Sequence, residues 1–491
     1  MMRIFNKLLL LVFCLFLLCP CPKIYGQQKP SFGACDSLTY RDYLRQDWPA
    51  IIRDGKLTLN AGYDYYYLRM RLAAACFEAG KYRGAITHYS KAAGFNSGEE
   101  SVTRNKYYSY LNLGDRDQAA FMARLISTPH KKSLNISSGR PVDFIYLESG
   151  YTPSAGQGIP VGRLSGGDSI YGQEDIYKSL FYTQAGIRFR LLPSLALYAS
   201  YTGLNVEKEK RFNYSVYNAQ RDSVVTVPYG LAYFYSFPRQ WTNKVIPYKV
   251  TQNEIYLNAS YIPAEGFRII PAFHLIQVRT WNILPVYSTT QQSDTAFFLA
   301  SDTSWHLFTY PGYVIREKDT SFSNWVLSLS VTKDMGNFSF DLHASFSDFN
   351  SGKQSQGGVS VSWYPLGNTA FFSTTSVNGV SAAGGKRFIY EQLLGARLTR
   401  FAWIDGFITS GNLNLYNEKN ASVVYNQSDP ITFRFGADAL IAAGKHLEIY
   451  LVYRYARKEF LYQQYTLSNT EVSFKSTYTN HSLIGGLKWK F

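Results

Sequence analysis

Three side chains in this sequence are of the types that acyl-transfer chemistry needs. Asp341, His343 and Ser345 stand two residues apart, and that spacing puts side chains on one face of an extended strand. A carboxylate orienting an imidazole, which takes the proton of a hydroxyl, is the arrangement of a hydrolytic nucleophile. The alternating neighbours are Phe340, Leu342 and Phe346, so the polar three face away from an apolar row. His481 and Ser482 are adjacent and point to opposite faces, which disfavours a dyad there. Gly384-Gly385-Lys386 lacks the spacing of a phosphate loop and reads as a flexible turn. No Cys-x-x-Cys pair or Cys/His cluster suggests a metal, and nothing calls for a cofactor.

The strand carrying Asp341 to Ser345 is one of many. From about Ser133 onward a period of two runs through the chain. At the C-terminus Leu483, Gly485, Leu487, Trp489 and Phe491 share one face, and Ser482, Ile484, Gly486, Lys488 and Lys490 the other. Ile431, Phe433, Phe435, Ala437, Ala439 and Ile441 alternate with Thr432, Arg434, Gly436 and Asp438. Leu447, Ile449, Leu451, Tyr453 and Tyr455 alternate with His446, Glu448 and Arg454. About 14 strands are expected between residues 140 and 491. Every second connection is tight: Leu192-Pro193, Pro263 to Gly266, Asp334 to Gly336, Pro365 to Asn368, Arg400 to Ala402 and Ala443 to Lys445. The others are longer, notably 151–174, 205–246 and 284–321. Membrane barrels show this asymmetry, with short periplasmic turns and long external loops. Both ends of the strand region then lie on the periplasmic side.

Composition agrees. Only 17% of the 491 residues are charged, against roughly 25% in soluble proteins. Aromatics reach 16%, which excludes disorder, and a mean hydropathy of −0.18 excludes a helical membrane protein. Arg3 and Lys7 precede an apolar run from Leu8 to Leu18, too short for the roughly 20 residues that span a bilayer. Residues 1–26 therefore read as a secretion signal cleaved after Gly26. Its removal takes three of the 50 basic residues and no acid, so +15 falls to +12. Cys19 and Cys21 follow the apolar run, but Leu18 and Pro20 precede them where a lipid-attachment site needs a small residue. Cys35 and Cys76 remain. An oxidising envelope would let them bridge, whereas the helical setting of Cys76 favours a free, packed thiol.

Between the signal and the strands the period is helical. Ala73, Cys76, Gly80, Tyr82, Ala85, Tyr89 and Ala92 fall where a tetratricopeptide repeat places its small and aromatic residues, and this stretch resembles that family over one repeat. A weaker copy runs from Lys106 to Ile126, with Tyr110, Gly114 and Ala119 each 34 residues after Cys76, Gly80 and Ala85, the period of that repeat. Leu38 to Asp54 also has helical spacing, with Pro49 arguing for a break within it. The resemblance implies a peptide- or protein-binding concave face. The plain alternative is a plug or spacer.

An alternating strand closed by a terminal aromatic, here Phe491, resembles the assembly signal of outer-membrane barrels. The expected fold is α+β: signal 1–26, a tetratricopeptide-like helical domain over 27–132, and an antiparallel transmembrane β-barrel over 133–491. In plan this resembles the exopolysaccharide export porins, although those carry many more repeats. The His-x-Ser spacing resembles that of outer-membrane phospholipase A, where the histidine activates the serine. Here, however, the residues face inward, and Phe346-Ser347 stands where that family has Asn-Gly. They read as lumen lining, and no enzyme activity is expected.

Inward-facing Arg188, Arg190, Arg268, Arg397, Arg434, Arg454, Lys488 and Lys490 outnumber Asp341, Asp438, Glu391 and Glu448. Such charges either bias a pore toward anions or pair across the lumen and fill it. The expected location is the outer membrane, with the helices in the periplasm, lipid and a periplasmic protein as partners, and no nucleic acid. Two functions stay open: a conduit in export across the membrane, possibly of polysaccharide, or a non-conducting scaffold for envelope or protein-secretion machinery.

Overall fold

A computed structural model describes residues 30–491, except 155, 161–162, 165–168, 218–219, 228–229, 237–238, 298–302, 351, 383 and 467–470. The expected signal segment lies outside the described residues.

The described residues begin with seven helices: α1 Phe32–Leu44, α2 Trp48–Asn60, α3 Tyr66–Glu78, α4 Tyr82–Phe95, α5 Glu100–Asn112, α6 Arg116–Arg124 and α7 Thr128–Ser133. The Ser31, Asp47 and Asp115 side chains cap α1, α2 and α6 by accepting from backbone N–H groups three residues on, which satisfies donors a helix start leaves open. The break expected near Pro49 falls just before it. Gln46 takes φ +55°, and Pro49 sits in the first turn of α2, where its missing N–H costs nothing. Gly80 and Gly114 take φ +69° and +76° and turn the chain between α3 and α4 and between α5 and α6. Only glycine adopts that conformation without strain.

Ala73, Cys76, Ala85, Tyr89 and Val102 form one buried cluster, and Ala92 is also buried. The Tyr82 ring meets Phe77 edge-on, with centroids 5.5 Å apart. Cys35 and Cys76 are free, buried thiols. Tyr107, Tyr110, Ala119, Met122 and Ile126 form a second cluster, which also takes in Ile262 from a barrel turn. The second hairpin thus shares its core with the barrel.

Fourteen strands close a barrel: β1 Val142–Thr152, β2 Ser169–Leu192, β3 Leu195–Tyr217, β6 Arg239–Tyr261, β7 Phe267–Phe297, β8 Thr303–Met335, β9 Phe338–Phe349, β10 Gly352–Trp363, β11 Phe371–Ala382, β12 Gly385–Arg397, β13 Ala402–Ser410, β16 Ile431–Ala443, β17 Leu447–Thr466 and β18 Glu471–Lys490. Two small hairpins complete the set: β4 Gln220–Val227 with β5 Gly230–Ser236, and β14 Asn417–Glu418 with β15 Val423–Val424. First and last strands pair antiparallel from Phe144↔Lys490 to Tyr151↔Leu483, which leaves no open edge to lipid. Leu483, Leu487, Trp489, Leu451, Phe340 and Leu342 are exposed on the outside, while Ile484 and Val452 are buried inside. No helix among the described residues is long and apolar enough to cross a membrane; the strands, apolar outside and closed, have the form that can.

Two expectations need correction. Segment 284–321 is not an irregular loop, whereas in 205–246 the apolar runs Val224 to Val227 and Leu231 to Phe237 leave extended or added strands open, and β4 and β5 form there. The strands run on, and β7 and β8 stay paired from Phe267↔Lys333 to Phe297↔Thr303, about three times the length that crosses the apolar band. Pairing satisfies backbone groups that a loop would leave to water. Above the end of β1, β2 also pairs with β17, and Tyr171, Phe212, Ile246 and Ile283 pack into a small core there. The second correction is Ile431. It is buried, because the β16–β17 register shifts between Ile431 and Phe433, and a bulge re-aims the side chain before it.

Candidate functional site

The lumen is shaped by a segment that the alternation does not reveal. After β13 the chain turns inward, and residues 411–430 cross the barrel interior as an inner loop. Its base packs through Leu413, Tyr416 and Tyr425 on Val380 and Ile389. Its middle bonds to the far wall: the Asn417 N–H donates to Gln356 Oε1 at 3.0 Å, and Asn417 Nδ2 donates to Ser345 Oγ at 3.0 Å. At the tip the Asn420 carbonyl accepts from Tyr256 and Ser328, while its amide donates to the Ile270 carbonyl at 3.1 Å. His274 Nδ1 lies 2.8 Å from the Ala421 carbonyl. Lys419, Asn420 and Ala421 take φ of +50°, +55° and +62°. Three successive non-glycine residues in that region persist only where surroundings over-determine them, and here β6, β7 and β8 do.

The inner loop separates two spaces. On one side lies a chamber of about 1140 Å³. Tyr146, Tyr182, Tyr198, Tyr256, Tyr450 and Tyr455 are on its wall, with Glu148, Asp438, Arg454 and Lys419. Asp438 Oδ1, Tyr450 OH, Arg454 Nε and Asn480 Oδ1, all on chamber residues, have no hydrogen-bond partner among the described residues. Buried polar groups are normally paired, so this wall can bond a polar guest. On the other side a cavity of about 260 Å³ holds Asp341, His343 and Ser345. There the expected row does face inward, but it is bonded differently from a nucleophile set. His343 lies 2.8 Å from Asp341 and also contacts Asn378, while Ser345 serves Asn417.

The third space is a vestibule of about 820 Å³ between the helices and the tight-turn end of the barrel. Arg83 at the start of α4 donates to the Gly336 and Phe338 carbonyls and pairs with Asp334 at 3.2 Å. Its guanidinium lies 3.8 Å over the Tyr364 ring, a favourable cation–π placement. Asn368 donates to the Gly80 carbonyl at 2.8 Å, and Lys106 pairs with Glu265 at 2.7 Å. The helices therefore sit on three turns of the barrel.

Asp117 reaches furthest in. It lies 2.6 Å from Arg188 and 2.8 Å from Arg190 and accepts from Ser260 at 2.9 Å. Asp115 holds Arg268 at 2.8 Å, and Asp143 holds Arg190 at 2.7 Å. Burial raises the pKa of Asp117, but Arg188, Arg268 and Arg190 outweigh it and hold it down at about 2. Asp117, Arg188 and Arg268 line both the chamber and the vestibule, so this cluster is the partition between them.

The expected luminal charges are thus mostly paired. Arg434 contacts Glu418 of the inner loop at 2.8 Å and Glu391 at 3.5 Å. Lys488 and Lys490 share Glu448. Arg454 lies over the Phe407 ring, Asp438 lines the chamber, and Arg397 is exposed near the turns. Phe491 is partly exposed at the barrel end, its N–H donating to the Asp143 carbonyl at 3.2 Å. Asp115 and Asp117 had no place among the expected site residues. Their sequence signal was only that of a helix cap and its first turn.

No protein-family model matches the chain, and no curated protein matches it in sequence. Among solved structures it is similar to a Pseudomonas aeruginosa FadL homologue at 6% identity, over 71% of this chain and 90% of that one, with a TM-score of 0.38. It is similar to a bacterial polysaccharide outer membrane secretin at 8% identity, over 72% and 99%, with a TM-score of 0.33. A TodX monoaromatic hydrocarbon channel variant gives 8% identity, 75% and 94% coverage, and a TM-score of 0.38. At these values none of them bears on what passes or binds here.

Proposed function

We propose that the chain is an outer-membrane conduit whose tetratricopeptide-like helices face the periplasm and cover the inner mouth of the barrel. The observation that carries this reading is the chamber. It runs beside the inner loop from Lys208 and Trp281 on the long-hairpin side to Asp117, Arg188 and Arg268 beneath the helices. Tyrosine walls offer ring faces and hydroxyls together, which suits a chain of hydroxylated rings such as a polysaccharide segment. Single-channel current in planar bilayers tests the reading. The wild type should conduct in small steps. A variant with residues 412–429 replaced by a short Gly-Ser linker should conduct in larger ones. A silent bilayer with both, given folded barrel, would overturn it.

A second reading makes the barrel an anchor for helices that recruit a periplasmic protein. Phe32, Tyr40, Leu44, Leu57, Tyr67 and Phe95 are exposed on α1 to α4, and under this reading a partner covers them. Under this reading Tyr67→Ser with Leu57→Ser abolishes co-purification of a periplasmic partner and leaves bilayer current at zero throughout.

A further inference from the structure

The vestibule carries more positive charge than its own contacts use. Nine basic side chains and five carboxylates line it, a net excess of four. Lys106 and Glu448, just behind the wall, add one charge of each sign.

Each carboxylate is already engaged. Asp117 holds Arg188 and Arg190, Asp143 holds Arg190, Asp115 holds Arg268, Asp334 holds Arg83 and Glu265 holds Lys106. What remains is cationic. The Lys333 amine donates to the backbone carbonyl of Glu265 at 3.2 Å. Lys488 and Lys490 divide one carboxylate between them. Lys91 and Arg116 have no carboxylate within 4.0 Å among the described residues. In addition, the buried Nε–H groups of Arg83 and Arg268 have no hydrogen-bond acceptor among the described residues, and that of Arg188 lies 3.5 Å from Asp143.

Docking the helices onto the barrel needs matched pairs, and the matched pairs account for only part of this wall. An unpaired buried donor is costly, and like charges gathered between two protein bodies repel through a medium less screening than water. Lipid does not answer them: Lys488 and Lys490 stand on the inward row of β18, opposite Leu487 and Trp489 outside. The complementary guest has several closely spaced oxygen acceptors. Guanidinium forks match phosphate and carboxylate geometry, and lysines add point charge.

We propose that the vestibule is a binding site for clustered oxyanions of the phosphate or carboxylate type. The site stands on its own geometry and holds whether or not the lumen conducts.

Titration calorimetry of the full chain in detergent at low salt tests it, with sodium pyrophosphate, dextran sulfate and neutral dextran as probes. Pyrophosphate should bind saturably, and more weakly as salt rises. Lys91→Gln with Lys333→Gln should weaken that binding roughly tenfold or more, because both amines lack a carboxylate partner. Lys353→Gln, an exposed lysine on β10, should leave it unchanged. Saturation by pyrophosphate means a free anion suffices; saturation by dextran sulfate alone means the oxyanions must come on a polymer. Either outcome supports the site. No saturable binding of either anion, equal binding of neutral dextran, or full binding by the Lys91/Lys333 double variant in heat-modifiable, folded protein would overturn it. Bilayer current from the same preparations separates the two proposals: binding without current removes the conduit and keeps the site, and current without binding does the reverse.

Discussion

The carboxylate of Asp117 on α6 lies 2.8 Å from the guanidinium of Arg190 on β2, and both side chains are more than nine-tenths buried. This pair ties the helices to the barrel where the chamber and the vestibule meet.

Removing one partner of a buried ion pair strands the other, at a cost of about 3–5 kcal/mol. Asp117→Ala should therefore loosen α5 and α6 from the mouth while the barrel stays folded. Limited proteolysis should cut between the helices and β1 sooner than in the wild type, with heat-modifiability unchanged. The pH dependence has a definite sign. The Asp117 pKa is lowered from 3.8 to about 2, so its contribution is complete above about pH 4 and fades as pH falls through about 2. Unchanged protection in the variant would show that the turn contacts of Arg83 and Lys106 suffice.

The two faces of β17 should respond differently to charge. Leu451 is 53% exposed on the outside and Val452 is 6% exposed on the inside, against the chamber. Leu451→Arg should cost about 2–4 kcal/mol if it sits near the bilayer centre. Val452→Arg should cost less, because the interior is polar. Guanidinium unfolding in lipid vesicles measures both, and equal losses would contradict a lipid-facing band.

Much of this was readable from spacing alone. Alternation through Leu483 to Phe491 and Phe338 to Phe346 marks strands, and tight turns at Leu192-Pro193 and Asp334 to Gly336 order them. A strand's period is a property of its own residues. The inner loop is different in kind. Asn417, Asn420 and Ala421 are held by side chains and carbonyls on β6 to β10, up to 164 residues away, and no local pattern announces such partners. The long hairpin of β7 and β8 escaped for a related reason: paired strands outside a membrane need no apolar face, so their period is weak. The role of Asp117 depends on where α6 docks, which its own turn of helix does not encode.

Asn420→Val should disorder the inner loop without harming the barrel. A β-branched residue at φ near +55° is a genuine outlier, and the substitution also removes the amide bond to Ile270. Bilayer recordings should show larger or noisier current steps than the wild type, with folded yield unchanged. Identical current would mean the loop tip does not set the passage.

Phe491 ends the outward row that pairs with β1. Phe491→Ala should lower the amount of chain reaching the outer membrane and raise periplasmic degradation, by analogy with the assembly signal it resembles. Its structural contact is slight, one N–H bond to Asp143 that alanine keeps. A loss of membrane yield with unchanged stability of the purified barrel therefore points to recognition during assembly. Full membrane levels would dismiss the signal.

Ala85 separates the helices' own packing from the barrel's. It is fully buried in the cluster of α3 and α4 with Cys76 and Tyr89. Ile262 of the barrel belongs instead to the cluster of α5 and α6. Ala85→Trp would overpack the first cluster at a cost of about 1–3 kcal/mol or more, felt mainly by α3 and α4. The barrel should still close and remain heat-modifiable, since β1 to β18 complete their own ladder. Hydrogen exchange should rise in α3 and α4 and stay low around Tyr110 and Met122. If bilayer current is unaffected while a periplasmic partner no longer co-purifies, the first hairpin serves recruitment. If current rises, the first hairpin helps cover the mouth through Arg83, whose place on the turns depends on α4. Failure of the barrel to insert would mean that both clusters fold as one unit with it.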